Sequence, residues 1–314
     1  MTEDGRPTKD EMTKDEETRD VVAVSTSTST SASTSSDSWD LVIRPHRKWF
    51  DLKLGELWHY RDLVMLFVRR DFVSLYKQTI LGPLWYLIQP LLTTITFTIV
   101  FGRIAKLSTD GLPQFLFYMS GTVIWTYFAS CLTKTSETFV HNAQLFGKVY
   151  FPRLAVPVSI LISNLIAFSI QFIFFLAFMG YFALRGAQLH PNWWIFATPL
   201  LLLLMAGLAL GFGTIVLALT TKYRDLRFLV QFGVQLLMYA TAVVYPVSAI
   251  PARFQPLLRA NPMTSVIEAF RYAFLGAGTV SLGGLAYSFG FMVVIVAVGA
   301  VIFNRVEATF VDTL

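Results

Sequence analysis

Six long windows without a charged residue constrain the fold of this chain more than any other feature. A helix needs about 20 residues to cross roughly 30 Å of hydrocarbon, and every window exceeds that length. Charged residues make up 14% of the chain, against roughly 25% in an average soluble protein. The pattern predicts an all-α membrane protein with six transmembrane helices. The predicted spans are Gln78–Gly102, Gly111–Thr133, Leu154–Leu184, Gly186–Thr221, Phe228–Ala252 and Tyr272–Asn304.

The residues before the first span divide into two segments of different character. Residues 1–40 are polar and are especially rich in Ser and Thr over residues 25–36, so we expect a disordered cytoplasmic tail. In residues 41–77, apolar side chains recur at helical spacing opposite charged ones. This predicts an amphipathic helix that lies in the plane of the membrane surface. Residues 78–314 would then form the transmembrane domain.

The distribution of Lys and Arg predicts how the chain is oriented. With six spans, both termini lie on one side of the membrane. From residue 41 onward, the segments on that side hold 15 basic residues, against 6 on the other side. Because basic residues accumulate in cytoplasmic loops, we expect a multi-pass protein with both termini in the cytoplasm.

Two connections between spans are longer than simple turns. Residues 134–153, on the predicted cytoplasmic side, read as a short helix that Pro152 brings to an end. Residues 246–271 carry four prolines among apolar side chains, too apolar for a free loop and too broken for a span. A pair of short re-entrant helices fits them, because non-helical backbone at membrane depth must be covered by protein. Glu268 and Arg271 within this segment have the spacing of a helical ion pair, which favours a structural role.

The chain lacks the residue patterns of an ATPase, a metal site or a hydrolase. A phosphate-binding loop has a glycine five residues before its Gly-Lys pair. Five residues before Gly147-Lys148, this chain has Asn142. The four histidines are scattered, and neither metal-ligand spacing nor a Ser/His/Asp set is evident. None of the six windows contains Asp or Glu, which argues against ion-coupled transport and against an acid/base enzyme within the membrane. We expect no metal, no cofactor and no nucleic-acid partner for this chain.

An ordered set of short motifs makes the chain resemble a known family. They are RRD at 69–71, YKQTILGPLW at 76–85, QP at 89–90, NA at 142–143, KVYFPRL at 148–154, YRDL at 223–226, NPM at 261–263 and EAFR at 268–271. Together they resemble the permease subunit of type-2 ABC exporters for lipid-linked polysaccharides, the family of O-antigen, capsule and teichoic-acid exporters. The resemblance runs from about residue 50 to the C-terminus.

This resemblance implies one part of a larger machine. Permeases of the family have an N-terminal interfacial helix, six spans, a cytoplasmic coupling helix and extracytoplasmic re-entrant helices before the last span. They dimerise, and a separate ABC ATPase subunit, which holds ATP and Mg, docks from the cytoplasm. The implied function is export of polyprenyl-pyrophosphate-linked polysaccharide across the bacterial inner membrane. The implied partners are the ATPase subunit, a second copy of the chain, the polysaccharide and membrane lipids.

Three groups of residues are candidates for this function. Apolar and basic side chains within residues 138–153 are candidates for coupling to the ATPase: Phe139, Leu145, Phe146, Lys148, Tyr150 and Arg153. Sugars stack on aromatic rings and bond to amides and hydroxyls, so rings and polar side chains within the spans are candidates for the substrate channel: Trp85, Thr94, Trp125, Tyr127, Gln231, Gln235 and Tyr239. Basic residues beside the first span are candidates for the pyrophosphate entrance: Arg69, Arg70 and Lys77.

Other interpretations of the same residues stay open. The rings also fit helix packing or interfacial anchoring, and Gln231 and Gln235 also fit bonds between helices. The basic residues could equally contact lipid phosphates, or they could be present only because basic residues accumulate on the cytoplasmic side. Gly207 and Gly211 permit a close helix contact, either within the subunit or across a dimer. For the whole chain, the alternatives are a type-2 ABC permease for a drug or simple lipid, a membrane-embedded glycan-modifying enzyme, and a structural membrane scaffold.

Overall fold

The computed structural model describes residues 54–77, 80–142, 151–223 and 225–312. The predicted tail, residues 1–40, lies outside the described residues, as does the beginning of the predicted amphipathic segment. In the described ranges the chain forms eleven α-helices: α1 Leu54–His59, α2 Arg61–Tyr76, α3 Trp85–Phe97, α4 Gln114–Ser136, α5 Thr138–His141, α6 Ala155–Leu184, α7 Thr198–Lys222, α8 Leu226–Tyr239, α9 Gln255–Arg259, α10 Pro262–Leu275 and α11 Leu282–Asp312. A π-helical segment, Thr98–Ile104, continues α3.

Five helical segments of the described chain are long and apolar enough to cross a membrane. They are Trp85–Ile104, Gln114–Ser136, Ala155–Leu184, Trp193–Thr221 and Leu282–Val306. Each lies mainly within a predicted window. The fifth window differs from the prediction, because Phe228–Ala252 holds most of the 14-residue α8 and a 3-10 turn at Val247–Ala249, but no long helix. A helix of that length covers about 21 Å, which is short of the roughly 30 Å hydrocarbon layer.

A buried arginine holds the chain where α8 ends. Arg271 of α10 is 1% exposed, and its Nη1 and Nη2 donate to the carbonyl oxygens of Ala242 and Val243. These carbonyls lie beyond the helix, so the guanidinium supplies the donors that a continuing helix would have supplied. Glu268 Oε1 lies 4.0 Å from Arg271 Nη1, so the buried guanidinium also has an acid beside it. The break in the fifth window is therefore stabilised by a residue that follows it by about 30 positions.

The segment predicted as a pair of short helices does form two, α9 and α10. The Asn261 side chain caps the second helix, because its Oδ1 accepts a hydrogen bond from the Met263 backbone N–H at 3.0 Å. Tyr287 of α11 donates from its hydroxyl to the carbonyl oxygen of Ala260 at 2.9 Å. The turn between the two short helices is thus fixed both by its own cap and by the last long helix.

The sixth predicted span begins later than expected. The first four residues of its window belong to α10, which ends at Gly276 with φ of 76°. Glycine adopts this left-handed conformation without a steric penalty. A Cβ at this position would also lie 2.6 Å from the Cβ of His190. The last long helix therefore starts at Leu282, after a turn, and not at Tyr272.

Helix α4 forms the centre of the bundle. It contacts α3, α6, α7, α8 and α10, and most of its residues are buried. Small side chains at Ser120, Gly121 and Thr122 allow this close approach. A Cβ added at Gly121 would lie 2.9 Å from the carbonyl oxygen of Val243. The chain that follows α8 therefore packs directly against the α4 backbone.

The glycines of the fourth window contact the last helix of the same chain. A Cβ at Gly211 in α7 would lie 2.6 Å from Ile295 Cγ2 and 2.9 Å from the Val296 backbone nitrogen of α11. One turn earlier, Gly207 lies against the side chain of Met292. The structure thus resolves the alternative left open by the sequence, because this close contact lies within the subunit.

Helix α2 carries apolar residues on two faces. Val64 and Phe67 are buried in a cluster with Phe151 and with residues at the beginning of α6. On another side of the same helix, Met65 and Leu66 are 60% and 59% exposed. The helix is therefore anchored to the bundle by one apolar face and offers the other to its surroundings, as expected for a helix at a membrane surface.

Candidate functional site

Helix α8 presents a face with both polar and apolar side chains to the outside of the chain. Gln231, Gln235 and Tyr239 are exposed there together with Phe228 and Phe232. Their spacing of three and four residues places them near one side of the helix. Amide groups in contact with lipid would be costly. This face therefore fits a polar neighbour better than it fits hydrocarbon.

Helix α3 exposes a groove of about 400 Å³ whose lining residues all belong to α3, and its end meets the end of α8 at Tyr239. The rings of Phe97 and Phe101 lie 6.4 and 6.5 Å from the ring of Tyr239, which joins α3 to the end of α8. Trp85, 53% exposed, borders the groove at the start of α3. We call the following exposed residues the α3–α8 surface: Trp85, Gln89, Thr96, Gln231, Gln235 and Tyr239.

Three predicted channel residues lie in the interior of the chain, in contrast to the prediction. Thr94 is fully buried, and its hydroxyl bonds to the Pro90 carbonyl at 2.8 Å and to the Thr122 hydroxyl at 2.9 Å. Trp125 and Tyr127 of α4 are each 5% exposed. Trp125 packs in the core because α4 is surrounded by other helices, and Thr94 ties α3 to α4. Tyr127 lines a cavity that also borders Trp85 and Gln89. None of the three belongs to the α3–α8 surface.

Glu137, directly after α4, links that helix to the beginning of α8. Its Oε1 accepts a hydrogen bond from Gln231 Nε2 at 3.3 Å, and its Oε2 lies 3.2 Å from His141 Nε2. Gln231 therefore makes a bond between helices, as one alternative held, while its side chain remains exposed. Gln235 lies one turn further along the same face and is also exposed.

The predicted entrance cations are all exposed, on α2 or directly after it. Arg70 is engaged within the chain: its Nε and Nη2 donate to Asp71 Oδ1 at 3.0 and 2.9 Å, and its Nη1 donates to Asn142 Oδ1 at 3.4 Å. Arg70 thus connects α2 to the end of α5. Arg69 and Lys77 are the two predicted entrance residues with the most open surroundings.

The predicted coupling segment is described only at its two ends. Four of its residues lie outside the described ranges: Leu145, Phe146, Lys148 and Tyr150. Phe139 of α5 is 1% exposed, and its ring stacks on that of Phe303 in α11 with centroids 5.5 Å apart. Its ring is therefore a core contact, in contrast to the prediction that it fills a groove in the ATPase. Arg153, before α6, is half-buried.

A polar crevice beside α4 contains functional candidates that sequence reasoning missed. It consists of two adjoining cavities of about 240 and 210 Å³, which share Tyr86, Lys134 and Asn164. Helices α2, α3, α4 and α6 supply its walls. Asn164 and Gln171, both in the uncharged third window, are seven residues apart and so share a helix face. That spacing was a readable signal for a polar site along α6.

A larger cavity, of about 770 Å³, is almost wholly apolar. Its walls include Phe128 of α4, Phe212 of α7 and Leu237 of α8, and the short α9 closes it with Leu257 and Leu258. Among the described residues, no group of three or more His, Cys, Asp or Glu side chains is placed to hold a metal ion.

Comparisons of the sequence with known proteins all find membrane transport proteins. The sequence model for the ABC-2 type transporter matches residues 62–275. An O-antigen export system permease protein RfbA from Klebsiella pneumoniae is 28% identical over 255 residues, which is 81% of this chain and 95% of that protein. A second protein of that name from the same organism is 26% identical over 253 residues, again 81% and 95%. One from Myxococcus xanthus is 27% identical over 221 residues, 70% of this chain and 82% of that protein.

Proposed function

This chain belongs to the family of ABC-2 type transporters, and from that premise we propose that it exports a lipid-linked polysaccharide of the O-antigen kind. It is a permease, a transport subunit and not an enzyme. Family membership implies an ABC ATPase as its partner. The proposed substrate is a sugar polymer on polyprenyl pyrophosphate, and the names of the relatives support this substrate class.

The observation that carries the proposal is the α3–α8 surface. It offers two rings and several amide and hydroxyl groups on helices of a membrane protein. Sugars stack on rings and bond to amides, and weak, repeated contacts of this kind allow a polymer to slide. In the proposed arrangement two copies of the chain bring these surfaces together across a channel. Each copy then protects the other's amides from lipid.

The proposed orientation places the protein in the bacterial inner membrane with both termini in the cytoplasm. It rests on the excess of basic residues on one side of the predicted spans. The ATPase then docks on the segment 138–153, and ATP and Mg bind to that partner. Charge reversal by Lys148→Glu should reduce copurification of the ATPase, whereas Lys106→Glu, on the opposite side, should not. Equal recovery of the ATPase with both variants would contradict this docking segment.

An export assay tests the proposed substrate. The chain and its ATPase subunit are expressed in bacteria that make O-antigen but lack their own permease, and the lipopolysaccharide is separated on a gel. We expect the ladder of polymer-bearing molecules to return. It should stay absent when the ATPase lacks its phosphate-loop lysine, which is the control for energised transport. Failure of the intact pair to restore any ladder, with both subunits present in the membrane, would refute export of this polymer.

A permease for a drug or a simple lipid is the second candidate, and the apolar cavity of about 770 Å³ favours it. A cavity of that size and polarity fits an alkyl chain or a drug-sized molecule. The two candidates differ in what stimulates ATP hydrolysis by the purified complex. Stimulation by simple lipids or drugs, without any effect of polyprenyl-linked polysaccharide, would favour the second candidate.

A further inference from the structure

The crevice between α2, α3, α4 and α6 contains a cation within a membrane-spanning helix. Lys134 lies two residues before the end of α4. Its Nζ donates a hydrogen bond to Asn164 Oδ1 at 2.9 Å. Asn164 is itself only 3% exposed, and its Nδ2 donates to the Ile160 carbonyl oxygen at 2.7 Å. This fixed amide holds the ammonium group at the wall of the crevice.

The ammonium group has hydrogen-bonding capacity left over. A lysine carries three N–H donors, and one of them is used by Asn164. Within the described part of the chain, no carboxylate oxygen lies within 4 Å of Lys134. The acid that lines the outer cavity, Asp71, already accepts two hydrogen bonds from Arg70. The charge of Lys134 is therefore not neutralised by a contacting acid among these residues.

A second polar group in the crevice also lacks a partner. The hydroxyl of Ser163, in the wall of the outer cavity, is buried and makes no hydrogen bond with the described residues. A buried hydroxyl without a partner is costly. In the inner cavity Gln171 Oε1 is also buried without a partner among the described residues, so the walls of the crevice hold an unused donor and an unused acceptor in addition to Lys134.

The surroundings define the kind of acceptor. Phe72, Ile160 and Ile166 line the outer cavity beside the polar groups, so the ligand has an apolar part next to its charge. Arg69 and Lys77 are exposed on or just after α2, the helix that forms one wall. A phosphate has the oxygens and the charge for Lys134 and Ser163, and an alkyl chain fits the apolar wall.

We propose that this crevice binds the phosphate of a lipid, with Lys134 as its main partner. Two lipids carry this chemistry: a membrane phospholipid, and the polyprenyl diphosphate that bears the transported polymer. The second source rests on the proposed function, whereas the phosphate site itself does not. The crevice adjoins the α3–α8 surface, because Trp85 and Gln89 border both, so a lipid phosphate in the crevice would place the sugars of a substrate next to that surface.

Lipid binding to the whole transporter tests the site. The full chain is purified with its ATPase subunit, and binding of undecaprenyl diphosphate and of phosphatidylglycerol is measured by native mass spectrometry. We expect Lys134→Met to weaken binding of at least one of them about tenfold or more, the effect of losing one charged hydrogen bond. Lys134→Arg should retain binding. Lys106→Met, at an exposed lysine outside the crevice, is the matched control.

A second variant keeps the test decisive if Lys134→Met does not assemble. Asn164→Asp retains the lysine but places a carboxylate against its ammonium group, so it should also weaken phosphate binding. If the variants lose binding of undecaprenyl diphosphate alone, the ligand is the lipid of the transport substrate. If they lose binding of phosphatidylglycerol, the ligand is a membrane phospholipid. Unchanged binding of both lipids to the assembled variants overturns the site, even if polysaccharide export is intact. Absence of export by the unaltered complex would instead refute the proposed function and leave the lipid result standing.

Discussion

Gln171 of α6 donates a hydrogen bond from Nε2 to the backbone carbonyl oxygen of Tyr86 in α3, across 2.9 Å. Pro90 has no N–H, so the carbonyl four residues before it loses its helical partner. Gln171, which is 3% exposed, supplies the missing donor. One side chain of the third predicted span therefore satisfies the proline break in the first and joins the two helices.

Replacement of this glutamine by leucine should destabilise the protein. Gln171→Leu removes this donor from the part-buried Tyr86 carbonyl, at a cost of about 1–3 kcal/mol, and should lower the melting temperature in detergent. Gln188→Leu, at an exposed loop position, is the control. In a Pro90→Ala background the helix regains its own N–H, so the same glutamine replacement should cost less. An equal loss in both backgrounds would show that the two residues do not act together.

Loss of the buried guanidinium should be more severe. Arg271→Met removes the donors to Ala242 and Val243 and leaves Glu268, whose Oε1 is 4.0 Å away, without its cation. We expect about 3–5 kcal/mol of destabilisation and a poor yield of monodisperse protein. Arg259→Met, on the exposed end of α9, should be nearly neutral. A normal melting temperature for Arg271→Met would mean that the break after α8 is held by other contacts.

Two glycine-to-alanine changes should have opposite signs. Gly211→Ala forces a Cβ to within 2.9 Å of the α11 backbone, so overpacking should cost about 1–3 kcal/mol. At Gly233 in α8, a Cβ meets nothing within 4 Å, and alanine should stabilise the helix by up to about 1 kcal/mol. Thermal unfolding of the two purified variants provides the comparison. Similar shifts for both would be incompatible with a close α7–α11 contact.

Removal of the α8 amides should impair export without preventing assembly. With two hydrogen bonds to substrate lost at about 1 kcal/mol each, Gln231→Leu combined with Gln235→Leu should reduce the rate of polymer export about tenfold or more. The complex with the ATPase should still copurify, since both side chains are on an exposed face. Gln188→Leu is again the control. Export at the unaltered rate would remove the α3–α8 surface as the substrate path.

Much of the fold was predictable because a membrane penalises charge in a simple way. Uncharged windows identified the five long helices, and the prolines of residues 246–271 identified the pair of short ones. The early end of α8 was not predictable, because the residue that stabilises it, Arg271, lies on a different helix. An apolar composition such as that of Phe228–Ala252 fits both a continuous span and a broken one.

The predicted channel residues differ in exposure. The amides and the tyrosine of α8 are exposed as a channel requires, whereas Thr94 and Trp125 are buried. Composition shows that a residue is compatible with sugar binding, but exposure depends on which helices surround it. Lys134 is one of the 15 basic residues counted on the predicted cytoplasmic side, because a basic residue at the end of a span ordinarily indicates orientation. Its neighbours across the crevice come from α2 and α6, far away in sequence.

The membrane environment, the helical class and the absence of an ATP-binding loop could all be read from the sequence. These properties follow from local composition and spacing, which need no knowledge of partners. Contacts between distant segments fix which helices lie at the centre, where α8 ends and which polar groups meet. Such contacts join residues up to about 150 positions apart, as Arg271 and Ser120 do, and no local pattern encodes that pairing. Among the described residues, five of the six predicted windows contain a helix long enough to span, and the fifth contains the shorter α8, after which Arg271 bonds to the chain.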